Sequence, residues 1–203
     1  MNHLQYNDPT WVLGLVDATL ARFNKSQDVE LLRLDFDDKG CGGPVSERAI
    51  AHRLAVHLEE EFRSRKLEGS DAISVDCEYN RHREAVKALS VEKELKKRVK
   101  KNKRKLRKDK LRKGWYAFSG FPDMILHKRT VDETNILVLE LKRSSNKIDV
   151  DYDDLKLQLF TRTGDYGYGY TLGAAIIASD EGEKMKRQLT RGILYHAGME
   201  FTG

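Results

Sequence analysis

Asp123, Glu140 and Lys142 are the side chains of this sequence whose types and spacing could do chemistry together. Two carboxylates offer hard oxygen ligands of the kind that select Mg²⁺ or Mn²⁺. A lysine beside such a cation can orient a water molecule as its ammonium or take a proton from it as the neutral amine. Near a cation the Lys142 pKa is expected to fall, which would make it a better base. That chemistry needs an element that brings all three to one place.

The stretch Asn135-Ile-Leu-Val-Leu-Glu-Leu-Lys142 reads as that element. In a strand, Ile136, Val138, Glu140 and Lys142 share one face and Leu137, Leu139 and Leu141 the other. Apolar residues on both faces predict a central strand covered on both sides. A charge withdrawn from water costs several kcal/mol unless it is paired or binds metal, so Glu140 and Lys142 need a reason to end a buried strand. Phe121-Pro122-Asp123 stands upstream, and Pro122 suits the first residue of a strand, where no ladder N–H is needed. The runs Met124–Lys128 and Ile136–Lys142, joined by the polar stretch Arg129–Asn135, predict a hairpin. Centred near Asp132, it sets position 123 opposite about position 141 and lets Asp123 and Glu140 share a divalent cation.

Pro122-Asp123, sixteen intervening residues, and then Glu140-Leu141-Lys142 resemble the signature of the PD-(D/E)XK nuclease superfamily. The resemblance spans roughly residues 46–180 and is strongest at this motif. It implies a restriction-endonuclease-like α/β core, a central mixed sheet flanked by helices. It also implies Mg²⁺, with Mn²⁺ as a substitute, bound by Asp123, Glu140 and the carbonyl of Leu141, and Lys142 beside the attacking water. Glu47 falls on the same helical stripe as Ile50, Leu54 and Phe62. The resemblance makes it a further ligand, whereas the helix dipole alone would favour an acid there. In the helix after the Glu-x-Lys strand, Lys156 or Gln158 could contact phosphate or water. They point about 160° apart, and Gln158 is the preferred one; a solvated helix face would account for either.

The other elements must frame this motif. Helices are expected over residues 10–23, over 46–65 with Ser46 as N-cap, and over 151–163. A strand is expected over Ile73–Tyr79, a buried one over Leu172–Ala178 and a short one over Gly192–His196, with a polar helix over Glu181–Thr190. Tyr79-Asn-Arg-His-Arg83 brings Arg81 and Arg83 to the end of the first strand, where they could grip phosphate or form a polar connection. From about Arg83 to Lys113 no Gly or Pro interrupts the chain, and a long protruding helix is predicted there, an insertion over 84–113 within one domain of 1–203. Residues 93–113 carry 14 Lys or Arg against two acids, while the remaining chain has 23 basic and 30 acidic residues. Such a segment, including Lys97, Lys100, Lys101, Arg104 and Lys108, would follow a phosphate backbone. Its thin seam of Leu95, Val99, Asn102 and Leu106 leaves self-association, a homodimer, as the alternative.

Several classes fall away. Cys41 and Cys77 build no disulfide framework, and no apolar run approaches the ~18 residues of a membrane span. A cytoplasmic protein fits best. His52 and His57 lack zinc-like spacing, and the Gly-Cys-Gly-Gly loop lacks a P-loop ending. The Tyr-Gly repeat over 164–170 reads as a loop before a strand rather than a base-stacking platform. The expectation is thus a metal-dependent nuclease acting on nucleic acid, DNA ahead of RNA and endonuclease ahead of exonuclease. An RNA-cleaving relative and a non-cleaving binding module of the same fold are the rivals.

Overall fold

The computed structural model describes residues 2–32, 45–67, 69–78, 81–82, 85–86, 88–93, 106–108, 113–129, 134–144, 150–164, 167–179 and 188–202. A mixed six-stranded sheet runs through the molecule. Its strands are β1 (Ile73–Cys77), β7 (Met124–Lys128), β8 (Asn135–Arg143), β9 (Leu172–Ser179), β10 (Gln188–His196) and β11 (Met199–Glu200), neighbours in that order. All pairings are antiparallel except that of β8 with β9. That parallel step needs a crossover, which helix α3 (Val150–Thr161) supplies.

Helices α1 (Pro9–Lys25) and α2 (Glu47–Ser64) cover one face of the sheet. Both open on caps the sequence makes legible. Asp8 accepts from the Thr10 N–H, with Pro9 behind it, and Ser46 accepts from the Ala49 N–H. Leu15, Phe23, Ile50, Leu54, Leu58 and Phe62 pack with Leu137, Leu139 and Leu141 of β8 into the larger core. On the other face, α3 and a small sheet of β4 (Ala88–Val91), β6 (Tyr116–Ser119) and β5 (Arg107–Lys108) pack over Ile125 and Val138. β8 is therefore covered on both sides, as its two apolar faces predict.

The hairpin register differs from the expected one. Met124 pairs with Leu139 and His127 with Asn135, with an irregularity between Leu126 and His127. One additional β8 residue is accommodated there, so position 123 falls opposite 140 rather than 141. Ile136, at the irregularity, packs in the same core as Leu137 instead of on the face of Val138.

The continuous helix expected over 84–113 is corrected at the described residues, 85–86, 88–91 and 107–108, which are strands. Ala85–Val86 is a strand (β3) that pairs with β2 (Arg81–His82), and Ala88–Val91 and Arg107–Lys108 flank β6. Leu89 and Val91 are fully buried against Phe118 and α3. Their alternation and the β-branched Val86 and Val91 outweigh the absence of Gly and Pro. Lys97, Lys100, Lys101 and Arg104 lie outside the described residues, as does Arg83. Likewise Gln188–Thr190, the end of the expected polar helix, belongs to β10, while residues 181–187 lie outside the described set. Tyr168 and Tyr170 pack on Phe160, so the Tyr-Gly stretch contributes to the core. Among the described residues no helix is long and apolar enough to cross a membrane.

Candidate active site

β1 ends where Glu78 turns into the left-handed conformation at φ 48°, and its N–H donates to the Asp123 carbonyl at 3.0 Å. This bond pins the backbone just before β7. The Asp123 side chain then turns toward β8, where its Oδ2 accepts from the Leu141 N–H at 2.7 Å. Asp123 is thereby fixed beside Glu140 on the neighbouring strand. Burial pushes the Asp123 carboxyl above its ordinary value, against the opposing pull of the Leu141 N–H and Lys156.

Glu140 points to the α3 face and is only 3% exposed. Its Oε2 accepts from the Lys156 ammonium at 2.5 Å. Its other oxygen, Oε1, is buried and has no hydrogen-bond partner among the described residues. An unsatisfied carboxylate oxygen at such depth is costly and marks a place where a positive group would be stabilised. Burial drives the Glu140 carboxyl well above its usual range; Lys156 works against that rise, and Asp123 and Asp153 add to it.

Lys142, two residues on, leans over the same α3 face and pairs with Asp153 Oδ2 at 2.9 Å. Burial pulls this ammonium down, but Asp153, with Glu47 and Asp123 behind it, outweighs the pull and holds the Lys142 pKa above normal. The reason is Asp153, an acid on α3 that spacing along β8 alone does not disclose.

Glu47 opens α2, and its Oε1 accepts from the Arg143 N–H at 2.9 Å, which ties the helix start to the end of β8. The buried Arg143 guanidinium strengthens this junction through the carbonyls of Val45 and Leu31. Asp123, Glu140, Leu141, Lys142 and Glu47 all line one cleft of about 360 Å³, together with Asp153, Tyr152 and Lys156 of α3. Arg48 and Glu78, themselves an ion pair at 2.7 Å, stand at its edge with the exposed Phe121.

Chemically, the cleft offers two adjacent carboxylates and a main-chain carbonyl as hard oxygen donors, with a lysine beside them. Among the described residues no three His, Cys, Asp or Glu side chains gather into a cation cage. The donor set for a cation would therefore be Asp123, Glu140 and the Leu141 carbonyl, with Glu47 bordering it. Cys77 also stands near Asp123, but burial lifts its thiol to about 11, too high for a thiolate nucleophile.

No family model, curated protein or solved structure matches the chain.

Six of the residues singled out in the sequence thus meet in one place: Asp123, Glu140, Leu141, Lys142, Glu47 and Lys156. Gln158 does not join them. It sits half-buried on another side of α3, and the site residue of this helix is Lys156. Arg81 belongs to β2, and Lys108, exposed on β5, does not line the cleft. Asp153 was missed altogether. Its signal is the i, i+3 spacing to Lys156 on a helix that must cross β8, where two further charged residues wait.

Proposed function

We propose that this protein is a PD-(D/E)XK-type nuclease that uses Mg²⁺, or Mn²⁺ in its place, to hydrolyse phosphodiester bonds. The observation that carries this reading is the convergence of Asp123, Glu140 and Lys142 in one cleft, where Glu140 keeps a buried oxygen without a partner among the described residues. That oxygen, the Asp123 carboxylate and the Leu141 carbonyl fit a small hard cation. Bound there, the cation supplies charge neutralisation at the phosphate and acidifies the attacking water.

The chain's own residues account for the remaining tasks. Asp123, locked by the Leu141 N–H, presents an oriented carboxylate at no further ordering cost. Lys142, kept as an ammonium by Asp153, orients water and offsets negative charge as it grows on the phosphate oxygens. In this state it is an electrostatic group, and it could take a proton only after giving up one of its own. Glu47 secures the α2 side of the cleft through Arg143. The excess of basic residues over 93–113 supplies an attraction for polyanions. DNA, and cleavage within a strand, are the substrate and mode favoured by the family resemblance.

The test is to incubate the protein with plasmid DNA, single-stranded DNA and RNA in Mg²⁺, Mn²⁺ or EDTA, beside Asp123→Ala and Lys142→Ala. Metal-dependent cleavage lost in both variants is the expected result. Cleavage that persists in EDTA or survives both substitutions would overturn the proposal. Binding without cleavage of any substrate would assign a non-cleaving module instead, and cleavage of RNA alone would move the substrate.

A further inference from the structure

Lys156 is the most deeply buried cation of the cleft, at 6% exposure, and the proposed reaction leaves it without a role. An ammonium has three donors and no acceptor. Here all three are directed at oxygens: Glu140 Oε2 at 2.5 Å, Asp153 Oδ1 at 3.1 Å and the Phe121 carbonyl at 3.4 Å. The Tyr152 ring lies 5.4 Å from the nitrogen. This is a closed coordination shell for a single positive charge, built from α3, β8 and the residue that leads into β7.

Sites that hold two divalent cations place them about 3.5–4 Å apart and need carboxylates to bridge or flank both. Of the carboxylates on the α3 side that could flank a second cation, Glu140 and Asp153 are already engaged. Glu140 gives Oε2 to Lys156, while Asp153 gives one oxygen to Lys156 and the other to Lys142. Glu140 Oε1, without a partner among the described residues, is left for one cation. The formal charges agree. Arg48 and Glu78 cancel each other at the edge. Among the described residues that line the cleft, Glu47, Asp123, Glu140 and Asp153 stand with Lys142 and Lys156, formally two negative charges in excess, the complement of one divalent ion.

We infer that Lys156 is a positioning residue that fills the place of a second cation, so the cleft binds one divalent ion and not two. The inference rests on the proposed cation site and adds its stoichiometry. Lys156 also fixes the Glu140 carboxylate through Oε2, the oxygen opposite the unpartnered Oε1.

The experiment counts Mn²⁺ ions bound per full-length chain at equilibrium, from the loss of the free-Mn²⁺ electron paramagnetic resonance signal, without nucleic acid. One ion is expected for the wild-type protein and for Lys156→Arg, which keeps the charge. Two are expected for Lys156→Ala, which frees Glu140 Oε2 and Asp153 Oδ1. Circular dichroism verifies folding, and Lys156→Gln replaces the alanine variant should that one fail to fold. Two ions on the wild type, or still one on the uncharged variant, would refute the role of Lys156 while leaving the cation site intact. No ion on the wild type would remove the cation site, and this inference with it.

Discussion

Exchanging Asp123 for Asn separates the two tasks assigned to that side chain. Asp123 Oδ2 accepts from the Leu141 N–H at 2.7 Å. A hydrogen bond to a charged group contributes about 1.5–3 kcal/mol and a neutral one about 0.5–1.5. An Asn oxygen in the same place therefore gives up about 1 kcal/mol. The loss is offset in part because burial already disfavours the charged carboxyl, whose pKa is raised. The net change in stability should stay within about 1 kcal/mol, whereas Asp123→Ala, which removes the acceptor, should cost about 1–3. Activity should respond very differently. Loss of one oriented anionic ligand from a preorganised site is worth on the order of 4 kcal/mol at the transition state, or about 10³-fold in rate. Urea unfolding in EDTA, read by circular dichroism, gives the first quantity, and single-turnover nicking of supercoiled plasmid in Mg²⁺ gives the second. A folded Asp123→Asn that cleaves within about tenfold of the wild type would refute the ligand role. A loss of stability beyond about 3 kcal/mol would make Asp123 a structural residue first.

Other perturbations probe the frame around the cleft. On the β1–β7 ladder, Asp76 pairs with His127 at 2.9 Å and with Arg129. Burial raises its pKa but these partners overcome that, and hold the carboxyl well below the usual range. A depressed carboxyl stabilises the fold above the unfolded Asp value near about 4 and loses that contribution as pH falls below it. Urea midpoints between about pH 5 and 2 should thus fall less steeply in Asp76→Asn, by about 2 kcal/mol over that range; parallel curves would contradict the pairing. Ser46→Ala should cost about 1 kcal/mol by removing the cap of α2, read as a lowered thermal midpoint. Replacing Lys97, Lys100, Lys101 and Arg104 with Gln should weaken DNA binding and shrink its salt slope by up to about 0.9 for each phosphate no longer neutralised. Fluorescence anisotropy across a salt series measures this, and an unchanged slope would assign those charges elsewhere.

What could be read in the sequence follows from how local each signal is. Ser46 as a cap and the alternation along β8 from Leu137 onward each depend on a few neighbouring residues and hold in the structure, whereas Pro122 stands two residues ahead of β7 instead of opening it. The pairing of Asp123 with the end of β8 followed from the length of the connection and was displaced by only one position, through an irregularity that no residue type announces. Residues 84–113 misled because charge and the absence of Gly and Pro suit a helix, while the packing of Leu89 and Val91 on Phe118 and α3 is non-local. Helix α3 hid its functional side for another reason. Tyr152, Leu155, Leu157, Leu159 and Phe160 are all buried, so the helix is apolar nearly all round. Periodicity cannot identify which face of such a helix meets the site, and Gln158 could not be separated from Lys156.

Single-turnover cleavage of an end-labelled oligonucleotide, followed as Mg²⁺ is titrated, measures most directly whether this cleft hydrolyses phosphodiesters. The wild-type chain should give products that rise with Mg²⁺ and saturate, and Glu140→Gln should give none at any Mg²⁺ concentration despite an intact circular dichroism spectrum. Equal product from Glu140→Gln, or no product from the wild type on DNA or RNA at any Mg²⁺ or Mn²⁺ concentration, would contradict it.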